Sequence, residues 1–222
     1  YRDMVVYLKR FVSIQGYQFY IAITDNNLKE EAQVLYGLIQ NKKTAGIIHV
    51  PVSDVAADYK RLIGSGIPFV CMERNILGDG IDAVEFRDRD AIFKGTDYLL
   101  SCGHKNILFL RESSKSTTRE ERTKGFFRAL EEHGINTNDA NIADVNLESG
   151  AENCILEIQK ALRRYMPTAI MAGGNRITLY LMKTLRDIGI ECPEEVSVVG
   201  FGDEGWSELT YPPLTILKRD VE

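Results

Sequence analysis

Side chains that ionise, attack or ligate are scattered along this 222-residue chain rather than grouped. The three histidines, His49, His104 and His133, lie far apart, and no pair has metal-ligand spacing. His104 follows Gly103 at a helix-to-strand turn and His133 precedes Gly134 at a helix end, so both read as end-of-helix residues. Cys71, Cys102, Cys154 and Cys192 form no C-x-x-C pair. That pattern argues against a zinc site or a disulfide framework, and they read as small buried residues of a reducing compartment. The carboxylates Asp25, Glu73, Asp88, Asp203 and Glu204 fall where loops are expected. Two of them could do acid–base work on a glycoside. No nucleophile or activating partner accompanies them, so hydrogen bonding to ligand hydroxyls or helix N-termini is the preferred role. Arg74, Arg87, Arg119, Arg122 and Arg176 also stand near expected loops. Their guanidinium forks could receive an acidic group on a ligand. No G-x-G-x-x-G, Walker-type or G-x-S-x-G segment occurs, so no cofactor and no enzyme activity are expected.

These residues need elements to position them, and helical and strand patterns alternate along the chain. Helical stripes are read at Val5, Leu8, Phe11 and Val12, at Ala32, Leu35, Tyr36 and Ile39, and at Val55, Tyr59, Leu62 and Ile63. Strands are read over residues 17–24, 45–50, 67–72 and 81–86, and again over 106–110, 168–172 and 195–201. Stripes at Ala91, Gly95, Leu99 and Cys102, at Phe126, Phe127 and Leu130, and at Ala151, Ile155, Ile158 and Leu162 mark further helices. The cleanest stripe, Ile177, Tyr180, Leu181, Thr184, Leu185 and Ile188, ends at Gly189. Apolar strands separated by amphipathic helices predict an α/β fold of two doubly wound parallel-sheet lobes. Ligands of such sheets bind beyond the carboxyl ends of the strands. Two facing lobes would therefore hold a ligand cleft at their hinge, near loops 24–28, 49–54, 72–76, 111–122, 173–176 and 201–206.

Composition narrows the function. A net charge of −5 gives no excess of positive charge with which to grip DNA phosphates, so these residues are not expected to hold DNA alone. A hydrophobic fraction of 44% fits a packed globular protein. No apolar run reaches transmembrane length and no signal peptide opens the chain, so a cytoplasmic location and no membrane partner are expected.

Longer motifs carry a family resemblance. Residues 169–175 read AIMAGGN and are followed by LRDIGI at 185–190, PEEVSVVGFGD at 193–203 and PPLT at 212–215. LLSCGHKNI at 99–107 and RTKGF at 122–126 agree with the same pattern, as do residues 17–25 and TAGII at 44–48. Together they resemble the effector-binding core of the LacI/GalR family of bacterial transcriptional regulators, and the resemblance covers essentially the whole chain. It implies a fold like that of periplasmic sugar-binding proteins (type I). One lobe would be residues 1–87 with 218–222, and the other residues 88–217. It also implies a small-molecule effector, sugar or sugar-derived, and a homodimer that reaches operator DNA through a helix-turn-helix headpiece expected before Tyr1. Effector binding would shift the lobes between open and closed states. A periplasmic solute-binding protein shares the fold and is the alternative; a glycoside-processing enzyme is a more distant one.

The same resemblance nominates site residues. Arg122 matches an arginine that binds effector polar groups, and Arg122→Ala should abolish the response while leaving the fold intact. Thr118 lies on the loop four residues earlier, and Tyr1 matches an aromatic that packs on a ligand ring. Arg74 and His49 occupy columns that line the pocket. Asn175, Asp203 and Arg87 stand where relatives carry polar contacts, and Trp206 is placed to stack on a ligand or to brace the loop before Pro212. Sugar-responsive relatives have Asn-Asp where this chain has Gly174-Asn175, Asp-Asp where it has Gly202-Asp203, and Asp where it has Arg87. These departures, with the five arginines, raise an effector with an acidic group rather than a plain neutral sugar, the alternative being that the arginines form a solvated rim.

Overall fold

The structure, a computed structural model, describes residues 2–78, 80–114, 116–202 and 205–218, without the side chains of residues 2 and 3. Contacts divide the described residues into two units, one within residues 2–85 and the other Phe86–Lys218.

The second unit is a five-stranded, wholly parallel sheet. Its elements in chain order are α4 (Asp88–Ser101), β4 (Ile107–Glu112), α5 (Thr117–Glu132), β5 (Asn141–Val145), α6 (Ala151–Tyr165), β6 (Ala169–Ala172), α7 (Asn175–Ile188), β7 (Ser197–Phe201) and β8 (Thr215–Leu217). The strand order is β5-β4-β6-β7-β8. Period-two alternation sends successive side chains to opposite faces, and both faces are buried. Ile107 and Phe109 of β4 pack with Ala169 and Met171 of β6 against Ile92, Leu99, Phe126 and Leu130 of α4 and α5. Leu108 and Leu110 pack with Ile170 and Ala172 against Ile158, Leu162, Ile177 and Leu181 of α6 and α7. A continuous apolar run in β4 and in β6 is the consequence. Three of its helices end where a left-handed glycine follows, α4 shortly before Gly103, α5 shortly before Gly134 and α7 at Gly189.

The first unit has α1 (Arg2–Ile14), α2 (Leu28–Gln40), β1 (Ile47–His49), α3 (Lys60–Ile63), β2 (Phe69–Met72) and β3 (Ala83–Val84). Its sheet is parallel in the order β1-β2-β3, with His49 opposite Cys71. Leu35, Ile47, Tyr59, Leu62, Cys71 and Ile76 form its core. Sequence expectations need several corrections here. Residues 17–24 have strand-forming side chains but form no strand, and Tyr20 is 81% exposed. A strand exists only through its ladder, and β1 pairs with β2 alone. The helix read around Tyr59 is a 3-10 turn running into the single-turn α3. Phe11 of α1 is exposed, and so is Tyr36 of α2, whose inward face is set by Glu31 and Leu35. Cys102 is exposed and Cys192 half-buried, so only Cys71 and Cys154 fit the reading of buried cysteines. Among the described residues no helix is long and apolar enough to cross a membrane.

Candidate functional site

In each unit the carboxyl ends of the parallel strands collect polar side chains. In the second unit the centre is Arg122, on the second turn of α5 and only 8% exposed. Ser116 caps α5 by accepting from the Arg119 N–H, which fixes where the helix begins and which way Arg122 projects. Nε and Nη2 of Arg122 donate to Asp88 Oδ1 at 3.3 and 3.2 Å, and Nη1 donates to the Gly173 carbonyl at 2.6 Å. The guanidinium also lies over the Phe201 ring, 4.4 Å from its centroid. Asp88 is 4% exposed, so this is a buried ion pair joining the starts of α4 and α5 to the end of β6. Gly173 is required there: a Cβ would come within 2.7 Å of the Leu110 carbonyl oxygen and 2.9 Å of the Phe109 ring.

A second cluster sits at the ends of β4 and β5. Arg111 donates to Asp144 Oδ1 at 2.7 Å, and Arg119 donates to both Asp144 oxygens at 3.1 and 3.2 Å and to the Glu112 carbonyl. Burial opposes the charge on Asp144, but the two arginines outweigh it and hold the carboxyl below its usual range. A depressed folded pKa contributes stability that is present above the unfolded pKa and is lost as pH falls through the folded value. Wild-type protein should therefore lose stability below about pH 4, and Asp144→Asn should lose less over the same interval. Unfolding midpoints between pH 6 and pH 3 check this, and parallel profiles for the two proteins would refute it.

In the first unit, Arg74 Nη1 donates to Asn26 Oδ1 at 3.0 Å and to the Pro51 carbonyl at 3.4 Å, so one side chain ties together three loops. Asp25, Asn26 and Glu73, in two of these loops, have positive φ angles without being glycine, a strain that concentrates at functional edges. His49 ends β1 and is 6% exposed, with its Nε2 2.8 Å from Glu31 Oε1. Glu31 was not singled out from the sequence. Its signal was present: it stands four residues before Leu35, on the buried face of α2.

Arg87 precedes α4 with its side chain 88% exposed and pairs with Asp90. Thr118 is half-buried in the first turn of α5, and Asn175 is half-buried at the start of α7. Trp206 is half-buried, and its carbonyl accepts from the Leu209 N–H. Tyr1 and Asp203 lie outside the described residues, as does Glu204. All five arginines have partners within the protein, Arg176 reaching the Leu147 carbonyl at 2.9 Å. Arg87, Arg119 and Arg122 pair closely with carboxylates, so the arginine count overstates the positive charge free to meet an acidic ligand. His104 Nδ1 meets Thr168 Oγ1, and His133 Nε2 meets Asp97, as bracing contacts.

Among the described residues, His49 Nδ1, Asn75 Oδ1 and Thr117 Oγ1 are buried side-chain atoms without a hydrogen-bonding partner. His49 ends β1, Asn75 lies just beyond β2, and Thr117 opens the helix after β4. Among the described residues no group of three or more histidine, cysteine, aspartate or glutamate side chains could hold a metal ion. A cavity of about 290 Å³ opens elsewhere, lined by Tyr98, Cys102, His104, Cys192 and Pro212 among others. It lies toward the amino ends of β7 and β8 and shares no residue with the polar clusters. The clusters, with their buried ion pair and unmet polar atoms, are the better candidates, each within its own unit.

Comparison with known proteins gives the arrangement a context. Residues 96–222 match the family model described as periplasmic binding protein-like domain. Over 93% of its length the chain is 29% identical to the HTH-type transcriptional regulator DegA of Bacillus subtilis (strain 168), and it spans 61% of that protein. A sugar-binding transcriptional regulator of the LacI family from Escherichia coli, solved in complex with phosphate, is 26% identical with a TM-score of 0.78, covering 100% of this chain and 79% of that one. A LacI family transcriptional regulator from Silicibacter pomeroyi has the same fold, with a TM-score of 0.83 at 22% identity over 99% of this chain and 82% of that one.

Proposed function

The chain belongs to the periplasmic binding protein-like domain family, and from that membership we propose that it is the effector-sensing core of a LacI/GalR-type transcriptional regulator. It binds a small molecule, sugar or sugar-derived, at the carboxyl ends of its parallel strands. The observation that carries this reading is the placement of the unmet buried atoms His49 Nδ1, Asn75 Oδ1 and Thr117 Oγ1, at or just beyond those ends. A buried polar group without a partner costs about 1–3 kcal/mol, and a ligand that satisfies it recovers that cost. The similarity to DegA and to the phosphate-bound regulator supports sensing over turnover.

The regulator reading has three further parts. Operator DNA is bound through a helix-turn-helix headpiece outside these 222 residues. The assembly is a homodimer, whose two-fold axis matches a palindromic operator. The protein works in the cytoplasm and does no chemistry on its effector. Effector and operator affinities are then linked by a coupling energy of about 1–3 kcal/mol. A periplasmic solute-binding protein would share the fold; the regulators among its relatives favour the first reading.

Calorimetry against D-ribose, D-xylose, adenine, ribose 5-phosphate and glucuronic acid tests the proposal. A ligand at a hundred times its Kd should raise stability by about 2.7 kcal/mol. Chromogenic glycosides should not be hydrolysed. Turnover of a glycoside, or indifference to the whole panel, would count against effector sensing of this class.

A further inference from the structure

The Glu31–His49–Tyr59 network lies in the first unit, and its proton positions follow from its geometry. Glu31 is 3% exposed, and both of its carboxylate oxygens are engaged. Oε1 accepts from the Val52 N–H at 3.0 Å and lies 2.8 Å from His49 Nε2. Oε2 accepts from the Tyr59 hydroxyl at 2.8 Å. That hydroxyl in turn accepts from the Ser53 N–H at 2.9 Å, and the Tyr59 ring meets the imidazole edge-on at 5.0 Å between centroids. Burial, reinforced by the Glu31 carboxylate, raises the Tyr59 pKa, so its hydroxyl stays a donor.

A carboxylate offers only lone pairs. Facing one, His49 Nε2 must carry the proton. In a neutral imidazole the other nitrogen is then an acceptor. Nδ1 is that nitrogen, and it is one of the atoms with no partner. The second unmet atom of this unit, Asn75 Oδ1, is also an acceptor. It follows β2, the strand that pairs with β1. Two neighbouring strand ends thus present acceptors and no unmet donor among the described buried atoms.

We infer that Glu31 is a positioning residue that presets His49 as a hydrogen-bond acceptor at the end of β1, and that the effector meets it with a hydroxyl or N–H group. The inference rests on the effector-sensing reading above and fixes the polarity of one side of the ligand. Carboxylate or phosphate oxygens, which have no proton to give, belong elsewhere on the molecule. Glu31 also holds the segment His49–Ser53 through Val52 and Tyr59, while Arg74 holds the Pro51 carbonyl. The recognition loop is thereby set before a ligand arrives, which lowers the ordering cost of binding.

Histidine-ring ¹⁵N NMR on the whole chain at pH 7 tests the assignment. Wild type should show His49 as the Nε2–H tautomer. Glu31→Gln, whose amide oxygen can replace Oε1, should keep it, and Glu31→Leu should give a tautomer mixture. An Nδ1–H tautomer, or a ring protonated on both nitrogens, in wild type would overturn the inference whether or not Glu31→Leu folds. Titration of the five compounds named above separates this inference from the reading beneath it. A neutral hydroxylated compound should shift both the backbone amides of residues 49–53 and the Nδ1 signal. A compound that shifts the amides but leaves Nδ1 unmoved would refute the acceptor role and leave effector sensing standing. If no compound shifts those amides, effector sensing of this class fails, and the tautomer result still decides the role of Glu31.

Discussion

Arg122→Ala is expected to destabilise the second unit by about 3–5 kcal/mol, the range seen when one partner of a buried ion pair is removed. The cost comes less from the lost attraction than from what stays behind: the Asp88 carboxyl would be left at 4% exposure without the guanidinium, and the Gly173 carbonyl would lose a 2.6 Å bond. This corrects the expectation drawn from resemblance alone, that the variant would lose its response with its fold intact. Arg122 both faces the candidate site and holds α4, α5 and β6 together, so the two losses should come together. Urea unfolding of wild type, Arg122→Ala and the double variant Arg122→Met with Asp88→Asn separates charge burial from packing. Removing both charges should recover most of the lost stability, because no buried charge is then left unpaired. The double variant should still fail to bind effector. A single variant within about 1 kcal/mol of wild type, the ordinary value of an exposed pair, would show that Arg122 is not buried as described.

The second unit was legible because its signals are redundant. Residues 107–110 and 169–172 are apolar throughout, as strands covered on both faces must be, and the stripe from Ile177 to Ile188 has a glycine stop. The strand β5 was missed because it is an edge strand, bonded to β4 alone, with polar Asn141 and Asp144 in a five-residue run. The first unit was less legible. Strand propensity in residues 17–24 is strong, yet pairing depends on a neighbour that the local sequence does not encode. At the site, residue types were readable and partners were not. Arg122 and Asp88 are 34 residues apart, and Arg111 and Asp144 are 33 apart. An acidic residue in the first turn of a helix has a sufficient local explanation in the helix dipole. Glu31 therefore drew no notice until its burial against His49 was visible.

Two glycine substitutions in helix interiors should have opposite signs. Replacing glycine by alanine in a helix returns about 1 kcal/mol through backbone entropy. At Gly37 of α2 an added Cβ meets nothing within 4 Å, so Gly37→Ala should gain up to about that amount. Gly125 of α5 faces α4 instead. There a Cβ would overlap the Arg89 carbonyl oxygen and come within 3.1 Å of the Phe93 nitrogen. Both obstacles are backbone, so no rotamer change relieves them, and the two helices must separate. Overpacking costs about 1–3 kcal/mol where side chains can yield, and more where they cannot. Separation would also draw Arg122, one turn before Gly125, away from Asp88 at the start of α4. Gly125→Ala should therefore be destabilising by at least about 2 kcal/mol after the propensity gain, and should weaken effector binding although its side chain is a methyl group outside the polar clusters. Thermal unfolding of the two variants beside wild type measures both signs at once. If Gly125→Ala proved as stable as Gly37→Ala, α4 and α5 could not approach as closely as the Arg122–Asp88 pair requires.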